Sequence, residues 1–462
     1  MSAMGGDIGA AAMMDLVEAG RALGGALEGP NARFSGVTTD SRAVSAGDLF
    51  VALAGERFDG HAYVEEAVRR GAAAALTSRR IEAALPISQL VVPDTRRALG
   101  QLASYWRTRF AGPLVALTGS NGKTTVKEML RAILGAHCGS REAVLATAGN
   151  LNNDIGMPLT LLRLRERHRF AVIEMGMNHE GEIDYLARIA RPTVALVNNA
   201  QRAHVGMLGN LEAIARAKGE IYAGLGDDGF AIVNADDPFA PYWRGLNAGR
   251  PVIGFGFSEE AQVRATPAGD GWRVRTPSGA FDMALRVAGE HNVRNALAAC
   301  AAAHALGVPV EAMRSALAAF EGVPGRLQHR PGPRGSVLID DTYNANPESM
   351  KAALKVLAAQ PGRKVFVMGD MGELGAQSGA MHAEVGEFAK RSGIDALLAL
   401  GGESRRAVEA FGEGARHFPD AEALFAAARD AARAGTTLLV KGSRFMQMER
   451  VADALAGGAD AL

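Results

Sequence analysis

A glycine-containing loop between an apolar run and a helical pattern has the residue types of a phosphate-binding site. The apolar run ends at Thr118, and the loop that follows carries Gly119 and Gly122. Lys123 and two threonines then open the helical pattern. Glycines let backbone N–H groups approach phosphate oxygens, the lysine reaches the β- and γ-phosphates, and the hydroxyl of Thr124 can ligate Mg²⁺. The sequence therefore predicts a nucleotide site, although leucine stands where the general pattern has its first glycine. A glycine-rich turn without a ligand is the alternative.

Glu174, His204 and Lys218, which lie further along the chain, could supply metal ligands to such a site. Glu174 ends the next apolar run, and P-loop enzymes place a ligand of Mg²⁺, or a partner of such a ligand, at this point. His204 follows the strand after that one, whereas Lys218 lies in a helical run. Taken alone, these residues read as a strand-capping glutamate, a surface histidine and a solvated lysine. The positions of Glu174 and His204 behind the phosphate loop favour a metal site for those two.

The composition is that of an ordinary globular protein. Lysines plus arginines number 50, as do aspartates plus glutamates, so nothing indicates a nucleic-acid partner. Cys138 and Cys300 lie far apart in alanine-rich helical settings, which is typical of reduced core residues in a cytosolic protein. Acidic residues interrupt the N-terminal segment, which lacks a basic region, and no apolar window is long enough to span a membrane. We therefore expect a cytoplasmic protein without membrane insertion.

The chain of 462 residues suggests about three domains at roughly 150 residues each. Residues 1–108 predict a small α/β N-terminal domain. Residues 109–322 predict a central P-loop ATPase-like domain with a mostly parallel sheet covered on both faces. After a stretch rich in proline and glycine, residues 323–462 predict a C-terminal Rossmann-like domain without a dinucleotide fingerprint. The predicted strands are residues 48–53, 72–77, 89–92, 114–118, 170–174, 194–198, 231–234, 337–339, 365–368, 396–400 and 437–440. Ligands bind at the carboxyl ends of such strands, which carry Thr118, Glu174 and Asn198 in the central block.

Short motifs spread over all three blocks form one set. They lie at residues 118–125, 150–156, 174–183, 217–220, 289–292, 340–347, 367–375 and 440–444. Together they resemble the Mur ligase family of ADP-forming, peptide-forming enzymes. The motifs of the third block resemble most those of the member that adds D-alanyl-D-alanine. The ligase that acts one step earlier has a motif that recognises meso-diaminopimelate or lysine, and this motif is not evident in the third block.

The resemblance implies roles for individual residues. It implies ATP, two Mg²⁺ ions and a carbamylated lysine at Lys218. The residues implied in ATP binding are Thr118, Gly119, Ser120, Asn121, Gly122, Lys123, Thr124, Thr125, Asn292, Asn295, Arg326, Asp341, Tyr343 and Asn344. Those implied in substrate binding are Thr39, Asp40, Ser41, Arg42, Asn150, Asn152, Asn153, Lys441 and Ser443. The implied metal ligands are Thr124, Glu174, His204 and Lys218, and the implied catalytic residues are Lys123, His204, Lys218 and Arg326.

The resemblance also implies the reaction. A carboxylate of UDP-N-acetylmuramoyl-tripeptide attacks the γ-phosphate of ATP, and the amine of D-alanyl-D-alanine then attacks the acyl phosphate. These small molecules are the expected partners of a monomer whose domains close during the cycle. Two alternatives stay open. An enzyme that adds glutamate to folates would lack the uridine-nucleotide segment at residues 39–42, and a non-enzymatic nucleotide switch would lack His204, Lys218 and Arg326.

Overall fold

The structure is a computed structural model that describes residues 12–56, 58–82, 86–203 and 205–457. His204, a predicted metal ligand, lies outside the described residues. The sheets of the three domains lie within residues 26–91, 114–283 and 328–441. In the part of the chain that is described, none of the helices combines the length and the apolar character needed to cross a membrane.

The first domain contains a small sheet that is parallel except at one edge. Its strands are β1 (Met14–Asp15), β2 (Ala26–Glu28), β3 (Arg33–Phe34), β4 (Gly36–Thr38), β5 (Asp48–Val51), β6 (Ala74–Thr77) and β7 (Ser88–Val91). Its described helices are α1 (Leu16–Leu23), α2 (Val64–Arg69) and α3 (Thr95–Arg107). The sheet order is β2-β7-β6-β5-β4, with β2 antiparallel, while β1 pairs with β3. Asp94 caps α3 by accepting hydrogen bonds from the N–H groups of Arg96 and Arg97, which fixes where this helix begins.

The central domain contains a long sheet with an antiparallel edge. Its strands are β8 (Leu114–Thr118), β9 (Val144–Ala146), β10 (Phe170–Glu174), β11 (Val194–Val197), β12 (Phe230–Asn234), β13 (Val252–Gly256), β14 (Val263–Ala268), β15 (Gly271–Thr276) and β16 (Gly279–Met283). Its described helices are α4 (Lys123–Cys138), α5 (Gly156–Leu161), α6 (Glu182–Ala190), α7 (Val205–Leu208), α8 (Leu211–Gly219), α9 (Ala240–Leu246), α10 (Glu290–Ala305) and α11 (Val310–Ala318). The strand order is β16-β15-β14-β13-β12-β11-β8-β10-β9, antiparallel only among β14, β15 and β16.

Strand β8 is buried on both faces, which explains its unbroken apolar sequence. Val115 and Leu117 belong to the core that includes α4, α10 and α11. Leu114 and Ala116 belong to the core on the other face, with α3, α5 and α6. The carboxyl end of this strand is therefore held rigidly where it enters the phosphate loop.

The third domain is a parallel sheet with one antiparallel edge strand and helices on both faces. Its strands are β17 (Gln328–Pro331), β18 (Val337–Asp340), β19 (Arg363–Gly369), β20 (Ala396–Leu400), β21 (Ala415–Phe418) and β22 (Thr436–Lys441). Its described helices are α12 (Pro347–Ala358), α13 (Ser378–Arg391), α14 (Ser404–Phe411), α15 (Ala421–Ala431) and α16 (Glu449–Leu455). The sheet order is β17-β18-β22-β19-β20-β21.

The predicted α/β class, with a mostly parallel central sheet and a Rossmann-like third domain, is confirmed. Three predicted strands, at residues 114–118, 170–174 and 396–400, have the same bounds in the structure, and the other predicted strands agree within two residues at each end. The antiparallel strands β14, β15 and β16 were not predicted. The exact domain limits stay a prediction.

Candidate active site

The phosphate loop joins β8 to α4 and needs glycine at its last position. Gly122 has φ 81° and precedes the first helical residue, Lys123. A Cβ atom on Gly122 would collide with the Oδ1 atom of Asn295 and would lie 2.6 Å from the Nδ2 atom of Asn198. Lys123 curls back so that its Nζ donates to the carbonyl of Gly119 at 2.7 Å. The loop thus has the geometry that lets backbone N–H groups face an anion.

Amide side chains after β11 hold the phosphate loop in place. Asn198 donates through Nδ2 to the carbonyl of Asn121 at 2.9 Å and to Oδ1 of Asn295 at 3.0 Å. Asn199 accepts from the N–H group of Asn121 at 2.9 Å. Sequence reasoning noted Asn198 as a strand end but missed Asn199. The signal was present, because Asn199 comes directly after the predicted strand that ends at Asn198.

Glu174 is buried at the carboxyl end of β10 and joins the phosphate loop to a neighbouring loop. Its side chain is 2% exposed. One carboxylate oxygen accepts from the hydroxyl of Thr124 at 3.0 Å, and the other accepts from Nδ2 of Asn152 at 2.8 Å. Its backbone N–H donates to Oγ1 of Thr147 at 2.9 Å. The structure therefore brings three predicted site residues into direct contact.

Arg326 brings the third domain to the phosphate loop. Its Nη2 donates to Oγ1 of Thr124 at 2.9 Å, and its guanidinium carbon lies 4.1 Å from the ring centroid of Tyr343. Its Nε atom is buried and has no hydrogen-bond partner among the described residues. A buried donor without a partner is costly in a folded protein, so this position suits an anionic oxygen of a ligand.

The charges around Lys123 fit a phosphate site. Burial lowers the pKa of Lys123, Glu174 opposes this effect, and Arg326 adds to it. A polyanion placed between Lys123 and Arg326 would relieve the repulsion between the two cations.

A buried ion pair lies on the third-domain wall. The Nζ atom of Lys441 is 2.6 Å from the carboxylate of Asp341 and also donates to the carbonyl of Asn344 at 2.8 Å. Burial raises the pKa of Asp341, and Lys441 counteracts this effect. Ser443 is 2% exposed, donates to the carbonyl of Ala345 and accepts from the N–H of residue 372. Its hydroxyl therefore joins two loops behind the wall of the cavity described next.

A cavity of about 1470 Å³ lies where the three domains meet. The predicted site residues that line it are Ser120, Asn121, Gly122, Lys123, Thr125, Asn150, Asn152, Asn153, Glu174, Asn292, Asn295, Arg326, Asp341, Tyr343, Asn344 and Lys441. The other described site residues, which do not line it, are Thr39, Asp40, Ser41, Arg42, Thr118, Gly119, Thr124, Lys218 and Ser443.

Of the four predicted uridine-site residues, none of which lines this cavity, three make side-chain contacts within the first domain. Asp40 accepts two hydrogen bonds from the guanidinium of Arg42, both at 2.9 Å, and this contact lowers the pKa of Asp40 to about 2. The hydroxyl of Ser41 donates to Glu66 at 3.1 Å. From the described part of the first domain, the cavity is lined by Arg96, which forms a bidentate pair with Asp154. Sequence reasoning missed Arg96.

Asn292 and Asn295 lie one turn apart on α10 and face the cavity. Nδ2 of Asn295 is 3.4 Å from Oδ1 of Asn292, whose own Nδ2 donates to the carbonyl of Ala288 at 2.8 Å. His291 also lines the cavity and was not predicted. Burial, with Lys441 nearby, lowers the pKa of His291 to about 4, so this side chain is neutral at pH 7.

Lys218 is buried on α8. Its residue exposure is 1%, so the local helical pattern, which indicates a solvated lysine, does not describe its environment. Burial holds the pKa of Lys218 well below its ordinary value, and the positive charge of Lys123 lowers it further. A lowered pKa favours the neutral, nucleophilic form of the amine.

The oxygen atoms near the phosphate loop fit Mg²⁺. Glu174 offers a carboxylate and Thr124 a hydroxyl, which are hard ligands. Among the described residues no three side chains of His, Cys, Asp or Glu converge on one point. Mg²⁺ commonly uses one or two carboxylates together with phosphate oxygens and water, so this ligand set is sufficient.

Comparisons with known proteins agree with this geometry. Family models match at residues 33–107 (Mur ligase family, catalytic domain), 117–303 (Mur ligase middle domain) and 325–444 (Mur ligase, glutamate ligase domain). The UDP-N-acetylmuramoyl-tripeptide–D-alanyl-D-alanine ligase of Escherichia coli strain K12 is 46% identical over 443 residues, which cover 94% of this chain and 96% of that one. The corresponding ligase of Haemophilus influenzae is 40% identical, covering 91% and 93%.

Solved structures are similar over nearly the whole chain. A crystal structure of MurF from Acinetobacter baumannii has a TM-score of 0.88 at 40% identity and covers 95% of this chain and 98% of its own. MurF from Thermotoga maritima, in complex with ADP, has a TM-score of 0.80 at 28% identity and covers 91% and 97%. The predicted family is therefore confirmed, and this chain belongs to the Mur ligase family.

Proposed function

We propose that this protein joins D-alanyl-D-alanine to UDP-N-acetylmuramoyl-tripeptide, with cleavage of ATP to ADP and phosphate, in the synthesis of peptidoglycan precursors. The observation that carries the ligase chemistry is the contact at 2.9 Å between Arg326 of the third domain and Thr124 of the phosphate loop. The near full-length similarity to ligases of this name supports the choice of acceptor.

The residues around the cavity suit a two-step transfer. A carboxylate oxygen of the tripeptide attacks the γ-phosphorus, the bond to the β-phosphate oxygen breaks, and ADP leaves. Lys123 and Arg326 stabilise the negative charge on the transferring phosphoryl group. The amine of the dipeptide then attacks the acyl carbon, phosphate leaves with the former carboxylate oxygen, and the amine loses a proton. Lys441 and Asp341 lie on the wall from which the dipeptide would approach.

Two metal sites are part of the proposal. Glu174 and Thr124 would hold one Mg²⁺ beside the phosphates, where the ion supplies positive charge and fixes the geometry of the phosphate oxygens. His204, which lies outside the described residues, remains a predicted ligand. Lys218 would serve a second ion after carbamylation, in which its neutral amine adds to CO₂ and one proton is released. The burial of Lys218 and its lowered pKa support this step.

The cellular setting follows from the substrates. Nucleotide-linked substrates and ATP support a cytoplasmic location. Because a single chain supplies residues from all three domains to the cavity, we propose a monomer as the functional unit.

The mass of the product tests the reaction. The full chain, ATP, Mg²⁺ and candidate UDP-linked tripeptides are incubated with D-alanyl-D-alanine, while phosphate release is followed. We expect a product heavier by the dipeptide minus one water, formed in step with phosphate. Release of phosphate with glutamate and a folate, but not with the dipeptide, would identify the folate alternative instead.

The carbamate has a separate test. Lys218→Ala should lose most activity, and added short carboxylic acids should restore part of it, because they can place an oxygen ligand in the vacated space. Arg216→Ala, on the same helix but exposed and paired with Glu180, serves as the control and should keep its activity. Lys218→Ala with normal activity and no response to carboxylic acids would refute the role.

A further inference from the structure

Residues 198–203, which follow β11, reach from the central domain to the third domain. Within them, the guanidinium of Arg202 makes three hydrogen bonds with carboxylates. Its Nε donates to Glu348 at 2.6 Å, and its Nη1 and Nη2 donate to the two oxygens of Glu384 at 2.8 and 2.9 Å. A two-pronged contact of this kind fixes the orientation as well as the distance of the partners.

The partners of Arg202 lie on two different helices of the third domain. Glu348 is in the first turn of α12, and Glu384 is on α13. Lys351 of α12 also pairs with Glu384, which ties the two helices together. The side chains of Arg202, Glu348 and Glu384 are 26%, 25% and 33% exposed, so water screens these charges only in part. We call Arg202, Glu348, Lys351 and Glu384 the Arg202 clamp.

The residue before Arg202 is bonded to the phosphate loop. Gln201 donates its backbone N–H to the hydroxyl of Ser120 at 2.8 Å, and that hydroxyl donates to the Gln201 carbonyl at 2.9 Å. The Gln201 side-chain oxygen accepts from Nδ2 of Asn121 at 2.6 Å. A continuous set of hydrogen bonds therefore runs from the phosphate loop to the helices of the third domain.

Gly206, in α7, makes a close backbone contact with the third domain. The N–H of Gly206 donates to the carbonyl of Glu373 at 3.0 Å. A Cβ atom on Gly206 would lie 2.5 Å from the backbone nitrogen of Gly375. The two backbones therefore have no room for a side chain between them.

From these contacts we propose that Arg202 is a positioning residue, which clamps the third domain on the phosphate loop so that Arg326 and Lys441 stand in the cavity. The proposal rests on the proposed function for its kinetic readouts only, because domain closure can be measured without the reaction. Arg202 does not line the cavity, whereas its partner Glu348 does. It acts through the placement of the third domain.

The clamp predicts a salt-dependent closure. Charge-assisted hydrogen bonds between partly exposed groups weaken as ionic strength rises. In the unmodified protein, the KM for ATP should therefore rise with added salt, while kcat at saturating ATP changes little. Saturating nucleotide compensates for a weakened clamp because it favours the closed state by mass action.

The first experiment removes the charges of the clamp. Arg202→Met and Glu384→Gln keep side-chain volume, and Glu387→Gln on the same helix, where Glu387 pairs only at 3.8 Å with Arg391, is the control. We measure ADP affinity by calorimetry and the radius of gyration of the full chain by small-angle X-ray scattering. We expect about tenfold weaker ADP binding and a larger radius of gyration in both clamp variants, and no change in the control. In the double variant the loss of ADP affinity should be smaller than the sum of the two single losses, because both substitutions break the same contact. ADP affinity and radius equal to the unmodified protein would overturn the proposal.

The second experiment leaves every charge in place. Gly206→Ala adds a methyl group at the backbone contact, although alanine has a higher helix propensity than glycine. We expect the same loss of ADP affinity and of compactness, with unchanged or higher thermal stability. Gly245→Ala, in α9 with open space around it, is the control and should bind ADP normally. A compact Gly206→Ala variant with normal ADP affinity would contradict the close approach on which the clamp depends. Because neither readout involves ligation, failure of the clamp and failure of the proposed reaction are distinguishable.

Discussion

The contacts that join the phosphate loop to the third domain differ in chemistry from those that join helix α3 to the central domain. Helix α3 of the first domain packs on α5 and α6 of the central domain, and its buried side chains include Leu99 and Leu102. These residues share one apolar core with Leu161 and Ile189 of the central domain. The same core continues into the third domain, where it includes Met350 and Leu354, but the direct contacts of the phosphate loop with that domain are hydrogen bonds between charged or amide groups.

Two direct contacts illustrate the second interface. Nδ2 of Asn346, the N-cap of α12, donates to Oδ1 of Asn121 in the phosphate loop at 2.8 Å. Arg326 reaches Thr124 at 2.9 Å. Together with the Arg202 clamp, these contacts can be exchanged for water at low net cost, whereas separation of an apolar interface exposes its whole area. We therefore predict that the third domain separates from the central domain more readily than the first domain does.

The largest effect is expected at the polar interface, on catalysis. Arg326→Ala should lower turnover about 10³-fold, because a positioned arginine stabilises the charge of the transferring phosphoryl group. Phosphate release measures this loss, and the free energy of unfolding should change by less than about 1 kcal/mol. Arg391→Ala, an exposed arginine on α13, is the control and should keep normal turnover. Turnover above a tenth of normal in Arg326→Ala would remove its catalytic assignment.

The next effect is expected at the apolar interface, on stability. Leu102→Ala should lower the free energy of unfolding by about 2–5 kcal/mol, because it leaves a cavity between α3 and the central domain. Urea unfolding measures this change, and ADP affinity should stay normal. Leu246→Ala, where the leucine is 42% exposed, should cost less than about 0.5 kcal/mol. A strong loss of ADP affinity in Leu102→Ala would show that the first interface also controls the nucleotide site.

A smaller effect is expected from the loss of one hydrogen bond between α3 and the central domain. Trp106→Phe removes the donor that bonds the carbonyl of Leu164 at 3.1 Å but keeps most of the packing. We expect a loss of about 1 kcal/mol in the free energy of unfolding, measured by urea titration. Trp272→Phe, where the indole packs on Phe257 at the far edge of the sheet, is a matched control. Equal losses in the two variants would mean that the bond across the interface adds nothing.

The smallest effect concerns pH. His168 accepts a hydrogen bond from the N–H of Arg165, whose guanidinium bonds the carbonyl of Ser35 in the first domain at 2.7 Å. Burial, with Arg167 nearby, lowers the pKa of His168 from 6.5 to about 4. The unfolded chain therefore binds the proton at higher pH than the folded chain, and stability should fall as pH decreases from about 6.5 to 4. We expect His168→Gln to flatten this part of the pH profile by about 1 kcal/mol, after allowance for solvent screening. An unchanged slope would exclude His168 as its source.

The sequence predicted the parts of the fold whose signals are local. Strands β8 and β10 are unbroken apolar runs because both are buried on two faces, and each run ends in a polar residue. Strands β14 to β16 were missed, since they form an edge of the sheet where exposed and buried positions mix and Pro267 interrupts the pattern. The phosphate loop could be located because its glycine, lysine and threonine residues are adjacent in sequence.

Contacts between distant segments could not be predicted in the same way. Arg202 and Glu384 are 182 positions apart, and Asn121 and Asn346 are 225 apart. Nothing local indicates which carboxylate an arginine will meet, because the packing of whole domains decides it. Lys218 shows the same limit. Its local helical pattern predicts a solvent-exposed side chain, but packing of distant segments buries this lysine.

The interface between α3 of the first domain and the central domain also has a consequence for synthesis on the ribosome. Helix α3 is complete at Arg107, yet the guanidinium of Arg107 bonds the carbonyl of Ala190, a partner 83 residues further along the chain. At roughly 5–20 residues per second, the nascent chain must wait about 4 to 17 seconds for that partner. During this interval α1 of the first domain packs on α3, but the side of α3 that meets α5 and α6 lacks those partners. The emerging first domain therefore exposes part of the apolar surface of α3 until α5 and α6 have left the exit tunnel.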